Sequence, residues 1–305
     1  MHAFITGATG VIGRRVVPLL LDAGHQVTAI VRDPERRAAL ARTGATAMPL
    51  DLFDAEAVRR AVDGHNVVIN LATHMPATAV RLMLPGAFRE NDRLRRDGAA
   101  NLASAALAGG VERFIQESFA PIYEDGGDRW LDERAPVRAA SYNRTIADAE
   151  RSAARVTAPG REGIVLRFAG FYGPDGRFFK EAVKMLHKGM APLPGRLEAF
   201  ASSISHDDAA MAVVAALELP AGTYNVCDNE PVRRSDYFAA MADAFGTATP
   251  KPMPSWLAWV LGSKRELLSR SQRMSNAKLR SFGWAPHYVS VRSGFLAAAH
   301  SLSTP

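Results

Sequence analysis

The sequence predicts an α/β protein organised as a doubly wound parallel sheet, and three observations carry the prediction. Apolar runs of strand length alternate with helix-like segments through the first half of the 305-residue chain, as right-handed βαβ units require. The first such run, Phe4-Ile5, ends at Thr6 and opens into glycines at Gly7, Gly10 and Gly13, with an apolar helical run from Val16 to Leu21 behind them. A second strand-like run, Val27 to Val31, then arrives where a βαβ unit would place it.

Taken in order, strands are expected at Ala3–Thr6, Val27–Val31, Ala45–Met48, Val67–Leu71 and Arg113–Gln116. The helices between them are expected at Arg14–Ala23, Pro34–Arg42, Ala55–Val62 and Asp92–Ala108, with stops marked by Gly24, Gly44, Gly64 and Gly109-Gly110. Arg161–Phe168 reads as a sixth strand. Arg177–Lys188 reads as a helix whose Phe178, Phe179 and Met185 belong to the core. Gly222–Cys227 reads as a strand returning to the sheet, and Arg233–Phe245 as an amphipathic helix. Trp256, Leu257, Trp259 and Val260 form an apolar stretch for which packing is the default, with a pocket roof or a homodimer contact as alternatives.

Composition narrows the setting. At 48% hydrophobic and 22% charged residues the chain matches an ordinary soluble protein, which argues against disorder. Cys227 is the only cysteine, which excludes an internal disulfide and a cysteine metal cluster and suits a reducing cytoplasm. A strand starting beside Met1 leaves no room for a signal peptide, and Trp256 to Leu261 is too short to cross a bilayer, so no membrane partner is expected. The net charge of +6 is spread along the chain as separate arginines, such as Arg14, Arg59, Arg113, Arg151 and Arg233. With no basic block and no binding motif, that charge argues for solvated helix faces and a phosphate-bearing small ligand, not for nucleic acid.

The glycine turn suggests where that ligand sits. A strand feeding a helix through such a turn aims unpaired backbone N–H groups and the positive end of the helix dipole at one spot. A pyrophosphate fits there if no side chain blocks the backbone. The spacing Thr6-Gly7-x-x-Gly10-x-x-Gly13 resembles the fingerprint of the extended short-chain dehydrogenase/reductase superfamily, which includes nucleotide-sugar epimerases, dehydratases and dihydroflavonol-type reductases. The resemblance runs nearly to the C-terminus. It implies a Rossmann-type dinucleotide-binding domain over residues 1–170 and a smaller C-terminal substrate-binding lobe over 171–305, with about 204–227 returning to the sheet. It also implies a cofactor site made by Thr6, Gly7, Thr9, Gly10, Val11, Ile12 and Gly13, together with Asp51, Leu52, Leu71, Ala72 and Thr73.

The end of the second strand bears on which dinucleotide binds. An NAD-preferring protein needs a carboxylate there for the ribose 2′-hydroxyl, whereas a 2′-phosphate needs a cation. The family register puts Val31 at the acidic position and Arg32 directly after it, in a Val-Arg-Asp-Pro string like that of NADP-dependent dihydroflavonol-type reductases. NADP(H) is therefore favoured over NAD(H), with Arg32 as the clamp and Arg36 or Arg37 as helpers. The alternative is a solvated Arg32 with Asp33 on the ribose. Asp51 matches the adenine-contacting aspartate of the family, and Asp54 is better placed to cap the helix after it.

The catalytic end departs from the family pattern. There a tyrosine is followed four residues later by a lysine and four later again by a glutamate; Tyr142 and Glu150 hold both ends here, but the lysine position is Ile146. On a helix four residues is about one turn, so the missing ammonium would have shared a face with the phenol and lowered its pKa. An unassisted phenol titrates near 10 and donates a hydrogen bond but is a poor base at neutral pH. The family serine position, counted back from Tyr123, is Phe119, with Ser118 one place earlier and facing the other way on a strand. Upstream, Gly98 and Asn101 match a family helix whose first asparagine is replaced by Arg95.

Three readings stay open: an oxidoreductase in which Tyr142 donates and another cation, Arg95 or Arg144, replaces the lysine; a non-redox isomerase, cyclase or lyase on the same fold; and a redox-dead nucleotide sensor. For Tyr142 the bland alternative is a packed phenol. His74, just past the fourth strand, is either structural or at the start of the substrate. Arg167 to Pro174 resembles the family's crossing into the substrate lobe, and Asp207 or Asp208 is expected to cap a helix. A pocket drawn from Phe119, Tyr123, Phe168, Phe171 and Tyr172, with Arg196 the main cation for a diphosphate, suits an apolar or aromatic metabolite better than a sugar nucleotide.

Overall fold

The computed structural model describes residues 1–75, 84, 86–140, 142–191, 195–251 and 269–303. The Trp256–Val260 stretch lies outside them. The first strands, β1 (His2–Thr6), β2 (Gln26–Ile30), β3 (Thr46–Met48), β4 (Val67–Asn70) and β5 (Arg113–Phe119), lie in one sheet. After a short β6 (Trp130–Leu131), β7 (Glu162–Phe168) rejoins that sheet. β8 (Gly170–Tyr172), β9 (Phe200–Ala201) and β10 (Ser203–Ser205) lie outside it, and β11 (Gly222–Val226) returns as its edge. β12 (Val232–Arg233) and β13 (Arg273–Met274) pair with β9 and β6.

The large sheet runs β11-β7-β5-β4-β1-β2-β3, all parallel. Strand order reverses at β1, where the chain steps first to β2 and later to β4, and in such sheets the crevice outside the carboxyl ends at that reversal is the natural ligand site. Alternation within the strands fills both faces. Ile5, Ile69 and Ile115 pack with Val16 and Val17 of the helix Gly13–Asp22 and with Ala209 and Val213 of the helix His206–Ala215. Phe4, Val68 and Phe114 pack on the opposite face with Val58, Val62 and Leu102 from the helices Ala55–Val62 and Ala99–Ala108. Phe4 and Phe114 are fully buried, and each contributes about 2–3 kcal/mol by leaving water.

The same register sets a polar ladder at the carboxyl ends, since Thr6 stands opposite Asn70 and Asn70 opposite Gln116. The Thr6 hydroxyl donates to Asn70 Oδ1 at 2.6 Å, and Asn70 Nδ2 donates to Gln116 Oε1 at 2.8 Å. Gln116 Nε2 then donates to the Glu117 carbonyl at 2.8 Å. Each buried polar group in the row is thereby partnered.

Several elements differ from the sequence expectation. β5 continues through Phe119 because it pairs with β7 up to Phe119↔Phe168. The helix expected at Asp92–Ala108 begins earlier and is broken: an α-helical turn, Arg89–Arg93, passes through a π-helical turn, Leu94–Gly98, into Ala99–Ala108. Asp33 and Asp54 cap their helices through the amides of Arg36 and Ala57. The helix at His206 is capped by Ser205, not by Asp207 or Asp208. Ser205 Oγ accepts from the Asp208 amide at 2.9 Å, while the Asp208 carboxylate accepts from the His287 and Tyr288 amides.

Two glycines of the first turn are fixed by steric necessity. Gly7 has φ +72°, and a Cβ added there would lie 2.3 Å from the Leu71 carbonyl oxygen; one added to Gly13 would lie 2.2 Å from the Gly7 carbonyl oxygen. Gly24 has φ +80° with open space around it. Gly7→Ala should therefore cost about 3 kcal/mol or more, and Gly24→Ala about 1 kcal/mol, in urea unfolding midpoints. Equal losses would contradict the close β1–β4 approach.

Candidate active site

A cleft of about 360 Å³ opens at the carboxyl ends of β1, β2 and β4. Its floor is the glycine turn, with Thr6, Gly7, Thr9 and Gly10 exposed to it. No side chain caps the helix Gly13–Asp22 and its first turn carries no carboxylate, so the positive end of its dipole meets no internal anion, while the Arg14, Arg15 and Val16 amides donate to the Gly10 and Ile12 carbonyls. Leu71, Ala72 and Thr73 form one wall, and Asp51 and Leu52 another. Val11, Ile12 and Gly13, also expected at the cofactor, do not line the cleft. Ile12 is buried in the core, the Val11 carbonyl accepts from Arg15, and Gly13 lets the helix close on Gly7.

The far end carries Arg32 and Arg36 together with an apolar rim of Ile30, Val31, Leu50, Phe53 and Leu94, which sequence reasoning missed. Phe53 holds the Arg93 guanidinium 3.5 Å from its ring centre, a cation–π contact from the opposite wall. The aromatic residue directly after Asp51-Leu52 was a readable signal. Leu94 was hidden inside an expected unbroken helix. Each nearby aspartate engages one carboxylate oxygen with a backbone amide: Asp33 Oδ1 accepts from Arg36 at 2.9 Å and Asp51 Oδ1 from Phe53 at 3.0 Å.

Tyr142 sits half-buried with its ring 5.5 Å from that of Phe88. It precedes the helix, which begins at Ile146. The amides of Ile146 and Asp148 reach the carbonyls of Asn143 and Thr145, three residues back, at 3.0 and 3.1 Å. Turns this tight advance about 120° per residue, so position 146 does not lie directly over position 142, which corrects the one-face expectation. Ile146 is fully buried, Arg144 is exposed, and Thr145 ties the turn down by donating to Asp92 at 2.7 Å.

The other expected catalytic groups lie in internal pairs. Arg95 is buried, with Nη2 3.2 Å from Glu117 Oε1. Ser118 is fully buried and donates to Glu150 at 2.6 Å. Arg167 forks onto both Glu150 oxygens at 2.8 Å and donates to the Tyr123 hydroxyl, which donates in turn to Asn225 at 2.7 Å. Burial pushes the Tyr123 phenol up to about 12 despite Arg167. Burial also opposes the Arg167 charge, but the Glu150 bond and Tyr123 hold its pKa above the usual value.

Among the residues expected at the substrate, His74 and Phe119 remain accessible, and the His74 amide donates to Asn91 at 3.0 Å. Tyr123, Phe168 and Tyr172 are core side chains instead of pocket walls. Strand pairing buries Phe168, Tyr123 is buried with its hydroxyl bonded to Arg167 and Asn225, and Tyr172 packs edge-on against Phe295, ring centres 5.2 Å apart. Arg196 is engaged by Asp125 and Glu198 at 3.2 and 3.4 Å, so its charge is already answered.

These features coincide with known proteins. The NAD(P)H-binding family matches residues 7–220. The chain belongs to that NAD(P)H-binding family. Among its relatives, the 3-diazoavenalumate denitrifying reductase of a Streptomyces species is 33% identical, over 96% of this chain and 99% of that one. The 2-alkyl-3-oxoalkanoate reductase of Shewanella oneidensis is 27% identical, over 88% of this chain and 73% of that one. In fold, the chain resembles human epimerase family protein SDR39U1 solved with NADPH, at TM-score 0.85 and 18% identity, covering 99% of this chain and 100% of that one. It also resembles the Thermus thermophilus UDP-glucose 4-epimerase solved with NAD, at TM-score 0.79 and 24% identity, covering 100% of this chain and 99% of that one. Among the described residues no helix is long and apolar enough to cross a membrane, and no cluster of ligating side chains could hold a metal.

A charged knot pins the helix Gly13–Asp22 to Asp175 and to the start of the helix His206–Ala215. Asp175 accepts from Arg14, from Arg15 at 2.7 Å and from His206 Nδ1 at 2.8 Å, and Arg15 also reaches Asp207 at 2.5 Å. Burial, then Arg15 and Arg14, hold the His206 imidazole down to about 4. A histidine depressed in the folded state contributes stability above its unfolded pKa of about 6.5, and that stability is lost as pH falls toward 4. His206→Asn should flatten the urea-midpoint profile between those values. An unchanged slope would contradict a neutral His206.

Proposed function

We propose that the protein is an NADP(H)-dependent reductase of a small, mostly apolar or aromatic metabolite, acting through Tyr142 without a lysine beside it. The observation that carries the nucleotide choice is the pairing of Arg32 and Arg36 on the cleft with Asp33 and Asp51 turned onto backbone amides. The glycine turn and helix N-terminus would hold the pyrophosphate, Leu71 to Thr73 would carry the ribose, and Arg32 would meet the 2′-phosphate. The bound dinucleotide would supply a hydride; positioning and proton supply fall to the chain.

Tyr142 is the one member of the family relay that remains, and it can donate a hydrogen bond but not easily a proton. That limits the acceptor. A ketone ends its reduction as an alkoxide and needs a proton donor. A cationic acceptor such as an aryl diazonium becomes a neutral aryldiazene when it takes up hydride, and the aryl carbon receives the diazene proton as dinitrogen leaves. No oxyanion develops, so the missing ammonium costs little. The relative named for denitrifying 3-diazoavenalumate makes this class the first to try.

The buried Ile146 favours a second reading, non-redox isomerisation, cyclisation or elimination in the same pocket. Loss of NADPH absorbance with aryl diazo acids and aryl ketones separates the two. The expected result is NADPH consumption, faster with diazo acids, with Tyr142→Phe lowering ketone turnover about a hundredfold and diazo turnover less than about tenfold. Product formed while NADPH stays reduced would overturn the reductase reading. Bound NADPH with no turnover of either class would favour a nucleotide sensor.

A further inference from the structure

The short helix Arg89–Arg93 stands beside the Arg32 end of the cleft, since Arg93 lies over Phe53 and Leu94, the residue after the helix, lines the cleft. From it Glu90 reaches Arg32, Oε1 to Nη1 4.0 Å. Arg32 keeps 70% of its side chain exposed and Glu90 37%, so both are free to move. Asp33 and Asp51, the other carboxylates lining this end, accept from backbone amides, and neither pairs with Arg32 among the described residues. Glu90 is therefore the carboxylate that competes for Arg32.

We propose that Glu90 is a specificity-determining residue that restrains 2′-phosphate binding by competing for Arg32 and thereby sets the NADP(H)-to-NAD(H) ratio. The inference rests on the reading of Arg32 as the 2′-phosphate clamp. A nucleotide with a free 2′-hydroxyl leaves the Arg32–Glu90 pair as it is. A 2′-phosphate, with a charge near −2, must draw Arg32 away and then stand close to the Glu90 carboxylate. An exposed ion pair contributes little by itself, so breaking it costs little; the repulsion between carboxylate and phosphate is the larger effect. Glu90 is consequently a restraint on one cofactor, not a support for the other. The residue lies 58 positions from Arg32 along the chain, so it lies outside the strand-end motif that carries the cofactor choice (90 − 32 = 58).

The test is a fluorescence titration of NADPH and NADH against the wild-type protein, Glu90→Gln, Arg32→Ala and the double variant, at low and high salt. Unfolding midpoints confirm that each variant is folded. Glu90→Gln is expected to tighten NADPH by about threefold or more, leave NADH unchanged, lose its effect at high salt, and keep the larger part of it in the Arg32→Ala background, where the repulsion between carboxylate and phosphate remains. If Arg32→Ala weakens NADPH selectively while Glu90→Gln changes neither nucleotide, the Glu90 inference fails and the clamp stands. If Arg32→Ala weakens both nucleotides equally or neither, the clamp reading itself fails. Tightening of both nucleotides by Glu90→Gln would make Glu90 a general electrostatic effect and overturn its role as a discriminator.

Discussion

Everything at the nucleotide end depends on backbone meeting backbone across the first glycine turn. Gly7 lets the turn press against the Leu71 carbonyl at the end of β4, and Gly13 lets the following helix press against the Gly7 carbonyl. No side chain can enter either contact. The result is a helix whose N-terminus sits at the point of strand reversal, with the positive end of its dipole beside the cleft and no carboxylate in its first turn to answer it. The Thr6–Asn70–Gln116 ladder holds the three strand ends in step, so the floor of the cleft is a rigid edge of the sheet.

At the other end the buried polar groups are tied to one another in structural pairs. Ser118 beside the family position, Glu150 of the helix Ile146–Val156 and Arg167 of β7 form one buried network, while Arg95 is neutralised by Glu117. Such pairs are costly to break once buried, because the partner left behind is an uncompensated charge. They hold β5, β7 and the helix Ile146–Val156 together, and Tyr142 stands just ahead of that helix on a tight turn anchored through Thr145 and Asp92. A site built this way supplies shape and a hydrogen bond more readily than it supplies protons.

The sheet and the phosphate turn were legible in the sequence because both rest on local rules: apolar alternation, glycine spacing and capping residues. Asp54 read correctly as a helix cap for the same reason, whereas Asp33, read as an alternative ribose contact, caps the helix Pro34–Ala41. What failed was anything set by a distant neighbour. The Tyr142–Ile146 spacing implied one helical face, but the turn there is tighter than an α-helix. Tyr123 and Tyr172 were read as pocket aromatics, yet the Arg167 and Asn225 bonds tie the first into the core and the Phe295 contact buries the second. Arg196 was counted as a free cation because nothing nearby in sequence announces Asp125 as its partner. The break at Leu94–Gly98 had no sequence signature at all.

The account stands on a pyrophosphate seated over Gly10, the turn glycine that an added Cβ meets only at the Gly7 carbonyl, 3.2 Å away. Equilibrium titration of NADPH against the wild-type protein and Gly10→Asp tests this most directly, with unfolding midpoints as the control for folding. Binding by the wild type, and its loss by a factor of about a hundred or more in a folded Gly10→Asp protein, is the predicted result. A wild-type protein with no affinity for NADPH or NADH, or an aspartate variant that binds as well as its parent, would contradict it.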